Sequence, residues 1–216
     1  MPYPQIKRRQ SGFTLIEIAI VLVIIGLLLG GILKGQELIN SARVKNLSAD
    51  FRNIPVFIYG YQDKFKALPG DDLAVVTHVG GTPATNGTHG NGVIEGNWDD
   101  VVADDTEAIL FWQHVRLAGL APGPTLTTAP DYAPLNAVGG RIGVQSAAPI
   151  STMNSGTYFI CSTGISGSFA KQLDSQLDDG NTAAGSMMIS TTAAPTTAVL
   201  TTAIVNSTTY NVCMGI

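Results

Sequence analysis

A run of 21 mostly apolar residues near the N-terminus constrains this chain more than any other feature. Residues 13–33 contain a single charged side chain, that of Glu17. As a helix they would measure roughly 31 Å, about the thickness of the hydrocarbon core of a bilayer. Lys7, Arg8 and Arg9 precede the run, and the positive-inside rule places such bases in the cytoplasm and the remainder of the chain outside it. No small-residue cleavage site of the secretory type follows the run, so the sequence predicts a helix that is retained.

The residues around the start of this run form a recognisable pattern. KRRQSG at residues 7–12 is followed by FTLIE at residues 13–17. The combination of Gly12, Phe13 and Glu17 resembles the class III signal of type IV prepilins and of type II secretion pseudopilins. The resemblance implies cleavage between Gly12 and Phe13 by a prepilin peptidase, N-methylation of Phe13, and retention of the apolar helix as an assembly domain.

Glu17 is the residue in this helix that requires an explanation. An isolated carboxylate in a spanning helix costs about 2 to 3 kcal/mol on insertion scales, and such residues usually mark function. In a filament whose core is a bundle of these helices, the N-terminal amine of a neighbouring Phe13 is the available cation. We expect that pairing to set the axial stagger between subunits. On hydropathy alone, a simple signal anchor is the alternative.

Downstream of the apolar run, the sequence predicts an amphipathic stem over residues 34–68. Apolar positions recur at spacings of three and four, which is typical of a helix: Val44, Leu47, Phe51, Ile54, Ile58, Tyr61, Phe65 and Leu68. Pro55 is expected to kink the stem, and the glycines of residues 30–35 predict local melting. A dimeric coiled coil is the alternative, but Pro55 and Gly60 interrupt it.

The sequence thus divides into a leader at residues 1–12, a membrane or assembly helix at 13–33, a stem at 34–68 and a globular head at 69–216. The Pro-Gly turn at residues 69–70 begins the head. From residue 67 onward the chain carries three bases and twelve acids. Such an acidic head would repel phosphates, so no nucleic-acid partner is expected for it.

The head has the pattern of an α+β domain. Helices are predicted at residues 104–120 and 167–177, and a proline-rich surface loop at 121–136. Strand-like segments are found at residues 141–144, 156–161, 187–190, 197–205 and 208–214. We expect these five strands to form an antiparallel sheet with the stem packed against it. The pilin resemblance implies the same arrangement.

A glycine-rich, acidic stretch at residues 80–100 raises the question of a bound cation. Some pseudopilins bind calcium in an acidic loop of the head, but the EF-hand order of ligands fails here. The alternative is a solvated acidic turn, and no soluble cofactor is required. The candidate oxygen donors for Ca²⁺ are Asp71, Asp72, Asn91, Glu95 and Asp99.

The chain has two cysteines, Cys161 and Cys213, both in the exported part. Disulfides persist outside the cytoplasm, so we expect the two to be joined. A cysteine near the C-terminus bonded back to the head also resembles the disulfide-bounded region of type IV pilins. Two buried free thiols are the alternative, and a metal site is disfavoured by so few cysteines and histidines.

The sequence contains no motif of an enzyme active site, and His78, His89 and His114 have no evident nucleophile partner. Three functions remain: a structural subunit of a type IV pilus, a pseudopilin of a type II secretion system, and a membrane-anchored binding module or enzyme.

The resemblance implies several partners: copies of the same chain and related minor pilins, the prepilin peptidase, an inner-membrane platform protein and an assembly ATPase. Membrane lipid would surround the helix before assembly. The resemblance also implies a location, the bacterial inner membrane with the N-terminus cytoplasmic. After assembly the subunit would lie in an extracellular pilus or a periplasmic pseudopilus.

Overall fold

The computed structural model describes Gly12, residues 14–193 and residues 195–216. The predicted leader therefore lies outside the described residues except for Gly12, and so does Phe13. The described helices are α1 (Leu15–Phe65), α2 (Val75–His78), α3 (Glu107–Leu117) and α4 (Gly167–Leu177). The strands are β1 (Ile142–Gln145), β2 (Phe159–Ser166), β3 (Met187–Ser190) and β4 (Thr209–Gly215), and single 3-10 turns occur at Val102–Asp104 and Thr201–Ala203.

The chain divides into two compact units, Met1–Ala42 and Arg43–Ile216. In the first unit, α1 remains helical at Gly30, Gly31 and Gly35. The prediction that the helix melts locally at these glycines is therefore wrong for a single chain. A glycine costs only about 1 kcal/mol in a helix relative to alanine, and a long apolar helix continues cooperatively through such positions.

In the second unit, the remainder of α1 buries one stripe of side chains in the core of the head. The buried residues are Val44, Leu47, Ser48, Phe51, Ile54, Ile58 and Tyr61. Apart from Ser48, these residues are spaced by three and four, which confirms the amphipathic pattern. The helix continues through Pro55 and ends at Phe65, three residues before the predicted limit, because Lys66 adopts a left-handed conformation with φ of 55°.

The four strands form one antiparallel sheet in the order β1-β2-β4-β3. The α+β class is confirmed: the stem helix and the sheet share a single apolar core that includes Phe51, Ile160 and Val212. One extra residue in β2 between Ser162 and Ile165 forms a bulge opposite β4.

Both faces of the sheet are covered, which explains why consecutive residues of its strands are buried. Ile160 and Val212 face the stem-side core, whereas Phe159 belongs to a second cluster with Trp98 and Ile150. Alternate residues of a strand point to opposite faces, so β2, β3 and β4 each supply side chains to both clusters, whereas β1 supplies Ile142 and Val144 to the first.

The predicted fifth strand at residues 197–205 is wrong. This segment is irregular and contains the 3-10 turn, with one ladder-like bond from the amide of Val199 to the carbonyl of Ile189. Its threonines use their hydroxyls for local bonding instead: the Thr201 hydroxyl accepts the amide of Thr182 at 3.0 Å. Such side-chain to backbone bonds compete with a strand ladder despite the high β-propensity of threonine.

Strand β2 also begins later than expected, at Phe159 and not at residue 156. Gly156 has φ of +116° and approaches the backbone of Gly215 so closely that no side chain would fit there. Helix α4 has the predicted bounds. Helix α3 has Thr106 at its N-cap and ends at Leu117, so it is shorter at both ends than the predicted segment 104–120.

Candidate functional site

The apolar segment of α1 has no covering within its own unit. Every described residue from 14 to 33 is exposed, including Leu15 at 93% and Leu27 at 73%. Among the described residues, α1 is the one helix long and apolar enough to cross a membrane. Because water solvates such a surface poorly, this segment requires lipid or other helices around it.

Glu17 lies in the first turn of α1 and forms a capping box with Thr14. The Thr14 amide donates to Glu17 Oε2 at 2.8 Å, and the Thr14 hydroxyl donates to the same oxygen at 2.7 Å. In return, the Glu17 amide donates to the Thr14 hydroxyl oxygen at 3.3 Å. These reciprocal bonds satisfy amides that have no partner within the helix. In a single chain, the carboxylate of Glu17 is therefore used locally.

The predicted cleavage site precedes this capping box. Gly12 is exposed, and no atom lies where a side chain would be added to it. Phe13, the predicted site of N-methylation, lies outside the described residues. Cleavage, methylation and the pairing of Glu17 with a neighbouring amine therefore remain predictions.

In the head, the loop at residues 90–92 is organised by the buried carboxylate of Asp71. Its oxygens accept the amides of Gly90, of Asn91 at 3.3 Å and of Gly92 at 2.7 Å. The Asn91 side-chain amide donates to Glu95 Oε1 at 3.1 Å. The structure thus brings together Asp71, Asn91 and Glu95, three of the five sequence-predicted cation ligands.

Two residues that the sequence did not indicate join this loop. Glu107, fully buried at the start of α3, lies 2.8 Å from His89 Nδ1 and accepts the Glu95 amide at 2.9 Å. Asp71, His89 and Glu107 place ligand atoms within 4.8 Å of one another. Burial raises the pKa of Glu107, although its hydrogen bonds act in the opposite direction. No local sequence signal links these residues, since they meet only through the tertiary fold.

The other two sequence-predicted ligands are used elsewhere. The Asp72 carboxylate accepts the Tyr61 hydroxyl at 2.7 Å and lies 2.7 Å from His78 Nδ1. Burial acts to raise the pKa of Asp72, but the hydrogen bonds outweigh it and leave the pKa lowered. The side chain of Asp99 is exposed, and its backbone carbonyl accepts the Arg141 guanidinium at 2.7 Å. A cation at the five predicted residues remains a prediction.

A cavity of about 590 Å³ lies beside these loops. Its lining includes Phe65, Leu68, Asp72, Leu73 and His78. The ring of Phe65 stacks on that of His78 with centroids 5.1 Å apart. The carboxylate of Asp72 and the imidazole of His78 interact with each other beside the end of α1, so their polar atoms are already used within the fold.

The buried histidine of α3 has a structural role. His114 is inaccessible to solvent and accepts the Gly70 amide at Nδ1 over 2.9 Å. Its Nε2 lies 2.8 Å from the carbonyl of Thr82, which fixes the proton on Nε2. Burial lowers the pKa of His114, so the neutral ring joins two loops.

The expected disulfide between Cys161 and Cys213 is present. The two cysteines are directly opposite each other on β2 and β4, and both are buried in the cluster that contains Trp98. The bond joins residues 52 apart in sequence, across the central strand pair of the sheet.

Residues 7–33 match the family model described as the prokaryotic N-terminal methylation motif. This motif is the signal of type IV pilins and pseudopilins, so the suspected resemblance is confirmed at these residues. The match covers residues 7–12 of the predicted leader and the apolar part of α1, and it does not extend into the head. No curated protein and no solved structure matches the chain.

Proposed function

We propose that this protein is a structural subunit of a type IV pilus. In this proposal, a prepilin peptidase cleaves the chain between Gly12 and Phe13, and the mature subunit polymerises through the first part of α1. The methylation motif at residues 7–33 is the observation that carries the proposal. The α+β head, with part of α1 built into its core, is consistent with it.

The exposure of the apolar segment supports polymerisation through this helix. Before assembly, inner-membrane lipid would cover residues 15–33, with the N-terminus in the cytoplasm. After assembly, the same segments of neighbouring subunits would replace the lipid. Exchange of lipid for helix carries little hydrophobic driving force, so packing and specific polar pairs must direct it.

Glu17 supplies the specific polar pair in this proposal. Its carboxylate would leave Thr14 and pair with the methylated amine of Phe13 in an adjacent subunit. A buried carboxylate is tolerated only beside a partner cation. A neighbouring subunit in another register would leave Glu17 unpaired, so that register would be unfavourable. The capping box already holds the carboxylate at the end of the helix where that amine would lie.

Three substitutions separate a charge role of Glu17 from its capping role. Glu17→Gln retains a side chain that can complete the capping box but removes the charge. Thr14→Ala removes the capping hydroxyl and retains the charge, and Glu17→Ala removes both. If the charge directs assembly, both Glu17 variants will be processed normally but will yield few filaments, and Thr14→Ala will assemble.

The readouts are the mass of the membrane-bound chain and the number of filaments sheared from cells. If Glu17→Gln assembles and Thr14→Ala does not, the pairing is contradicted, because that outcome assigns Glu17 a capping role only. Unprocessed chain in any variant would indicate that the substitution acts on the peptidase, which would be visible as the uncleaved mass.

Filament assembly would require further partners. We propose copies of this chain and related minor pilins as neighbours, and an inner-membrane platform protein and an assembly ATPase as the machinery. A structural role also means that no enzymatic activity is proposed for the head.

A pseudopilin of a type II secretion system is the second candidate, because the methylation motif is common to both groups. The disulfide across the last strand of the head favours the pilus. Location separates the two: a pilus subunit is found in filaments outside the cell, whereas a pseudopilin remains with the envelope.

A further inference from the structure

Asp174, in the last turns of α4, is a buried carboxylate without a partner. Its side chain has no exposure to solvent, and neither of its oxygens has a hydrogen-bond partner in the described part of the chain. None of the ion pairs among the described residues includes it. Burying an unpaired carboxylate is among the most costly arrangements in a protein, so this group requires a ligand or a proton.

Two further carboxylates follow directly after α4. Asp178 is partly buried and Asp179 is exposed, and ligand oxygens of these two residues and Asp174 lie within 4.8 Å of one another. Both are held in place: Asp178 Oδ2 accepts the Met187 amide at 2.8 Å, and Asp179 Oδ1 accepts the Asn181 amide at 2.8 Å.

Each of these bonds uses one oxygen of its carboxylate, so the other oxygen is left for a ligand. The three side chains grade from fully buried to exposed, which gives the cluster one side open to solvent.

No base in the described part of the chain forms an ion pair with this cluster. The nearest base in sequence, Lys171, donates to the side chain of Asn206 at 3.2 Å. The C-terminal end of α4 adds partial negative charge from its free carbonyls. Burial, together with the charges of Asp178 and Asp179, raises the pKa of Asp174 to about 6. A proton on Asp174 would still need an acceptor, so protonation alone leaves the group unsatisfied.

We propose that Asp174, Asp178 and Asp179 bind a calcium ion. The donor set consists of oxygen alone, which selects hard cations over zinc or copper. Calcium tolerates the irregular geometry of a turn, whereas magnesium requires a near-ideal octahedron. Water would complete the coordination on the open side at Asp179. This site is separate from the loop around Asp71, and it does not depend on the proposed pilus function.

Calcium at this position would join the end of α4 to the loop that leads into β3. The Asp178 carboxylate already contacts the first residue of β3 through the Met187 amide. Gly185, with φ of +88°, lies so close to Asp178 that an added side chain would meet its carboxylate. The bound ion would therefore order the loop at residues 178–187 at the edge of the sheet.

The test uses the full-length protein in detergent, stripped of metal with a chelator and titrated with calcium chloride. Calorimetry should give one site with a dissociation constant of about 10⁻⁴ to 10⁻³ M, the range of extracellular calcium modules. The temperature of unfolding should rise with calcium, because the ion binds the folded chain. Asp174→Asn should weaken binding at least about tenfold.

Asp131→Asn is the matched control, since it removes an exposed carboxylate of the head that belongs to neither acidic cluster. It should bind calcium as the wild type does. Without calcium, Asp174→Asn should unfold at or above the temperature of the wild type, because it removes an unpaired buried charge. If that variant does not fold, Asp179→Asn at the exposed side of the site should show the same loss of binding.

Three outcomes would overturn the proposal. These are the absence of calcium binding by the wild type, binding as strong as that of the wild type by the Asp174 and Asp179 variants, and loss of binding in Asp131→Asn alone. Magnesium binding of equal strength would overturn the assignment to calcium.

Discussion

Loss of the Cys161–Cys213 disulfide should lower the stability of the head by a calculable amount. The bond joins residues 52 apart, and in the chain-entropy model a closed loop of this size is worth about 4 kcal/mol. The bond restricts the unfolded chain, so its removal should stabilise the unfolded state rather than break contacts of the native one. The effect should therefore appear without a change of fold.

Urea unfolding of the full-length protein in detergent measures this difference. Both tryptophans, Trp98 and Trp112, lie in the head, so their fluorescence follows its unfolding. The cysteines are buried, and for this reason reduction should be carried out on the unfolded chain before refolding in reductant. With a slope of about 2 kcal/mol per M of urea, the midpoint should decrease by about 2 M on reduction.

The double variant Cys161→Ala/Cys213→Ala is the control. Its midpoint should be the same with and without reductant, which separates the cross-link from other effects of the reagent. A decrease of less than about 1 kcal/mol in the reduced wild type would refute the loop-entropy reasoning. It would indicate that the unfolded chain remains compact around these strands.

Three other perturbations test the packing of the head, each by the free energy of unfolding in urea. Gly143→Ala should cost about 2 kcal/mol, since its added carbon would lie 1.9 Å from the backbone oxygen of Trp98; an unchanged value would contradict this close approach. Arg116→Met should cost about 3 kcal/mol and increase proteolysis at residues 121–132, because the buried guanidinium donates to three carbonyls of this loop region. Burial raises the pKa of Asp50 to about 6. Between pH 3.8 and about 6, the folded state thus binds more protons than the unfolded one, and at pH 7 the folded state holds a buried charge. Asp50→Asn removes that charge, so it should stabilise the protein at pH 7 but not at pH 3.5. Equal effects at both pH values would contradict this.

Local signals explain which parts of the fold the sequence could predict. Helix α4 was predicted with correct bounds because a turn of two aspartates and Gly180 follows it directly. The stripe of α1 was predicted because its period is that of a helix. The end of α1 was placed too late because Lys66 changes backbone conformation before the proline at residue 69.

The errors arose where distant parts of the chain decide the structure. Residues 197–205 have the composition of a strand, but along the edge strand β3 the amide of Ile189 bonds to the carbonyl of Thr182 while its carbonyl accepts Val199, and Thr201 bonds to Thr182. The same limit applies to the acidic clusters. His89 and Glu107 meet only in the folded head, and the isolation of Asp174 depends on burial that no local pattern encodes.

Processing of the chain at its methylation motif, followed by assembly into pili, is the step on which the proposed function depends. It is tested most directly by the intact mass of the protein in sheared extracellular filaments and in membranes. We expect abundant filament protein that begins at methylated Phe13 and is two hydrogens lighter for the disulfide. A processed chain confined to the membrane fraction would contradict the pilus assignment in favour of a pseudopilin. An uncleaved chain that begins at Met1 would contradict the account as a whole.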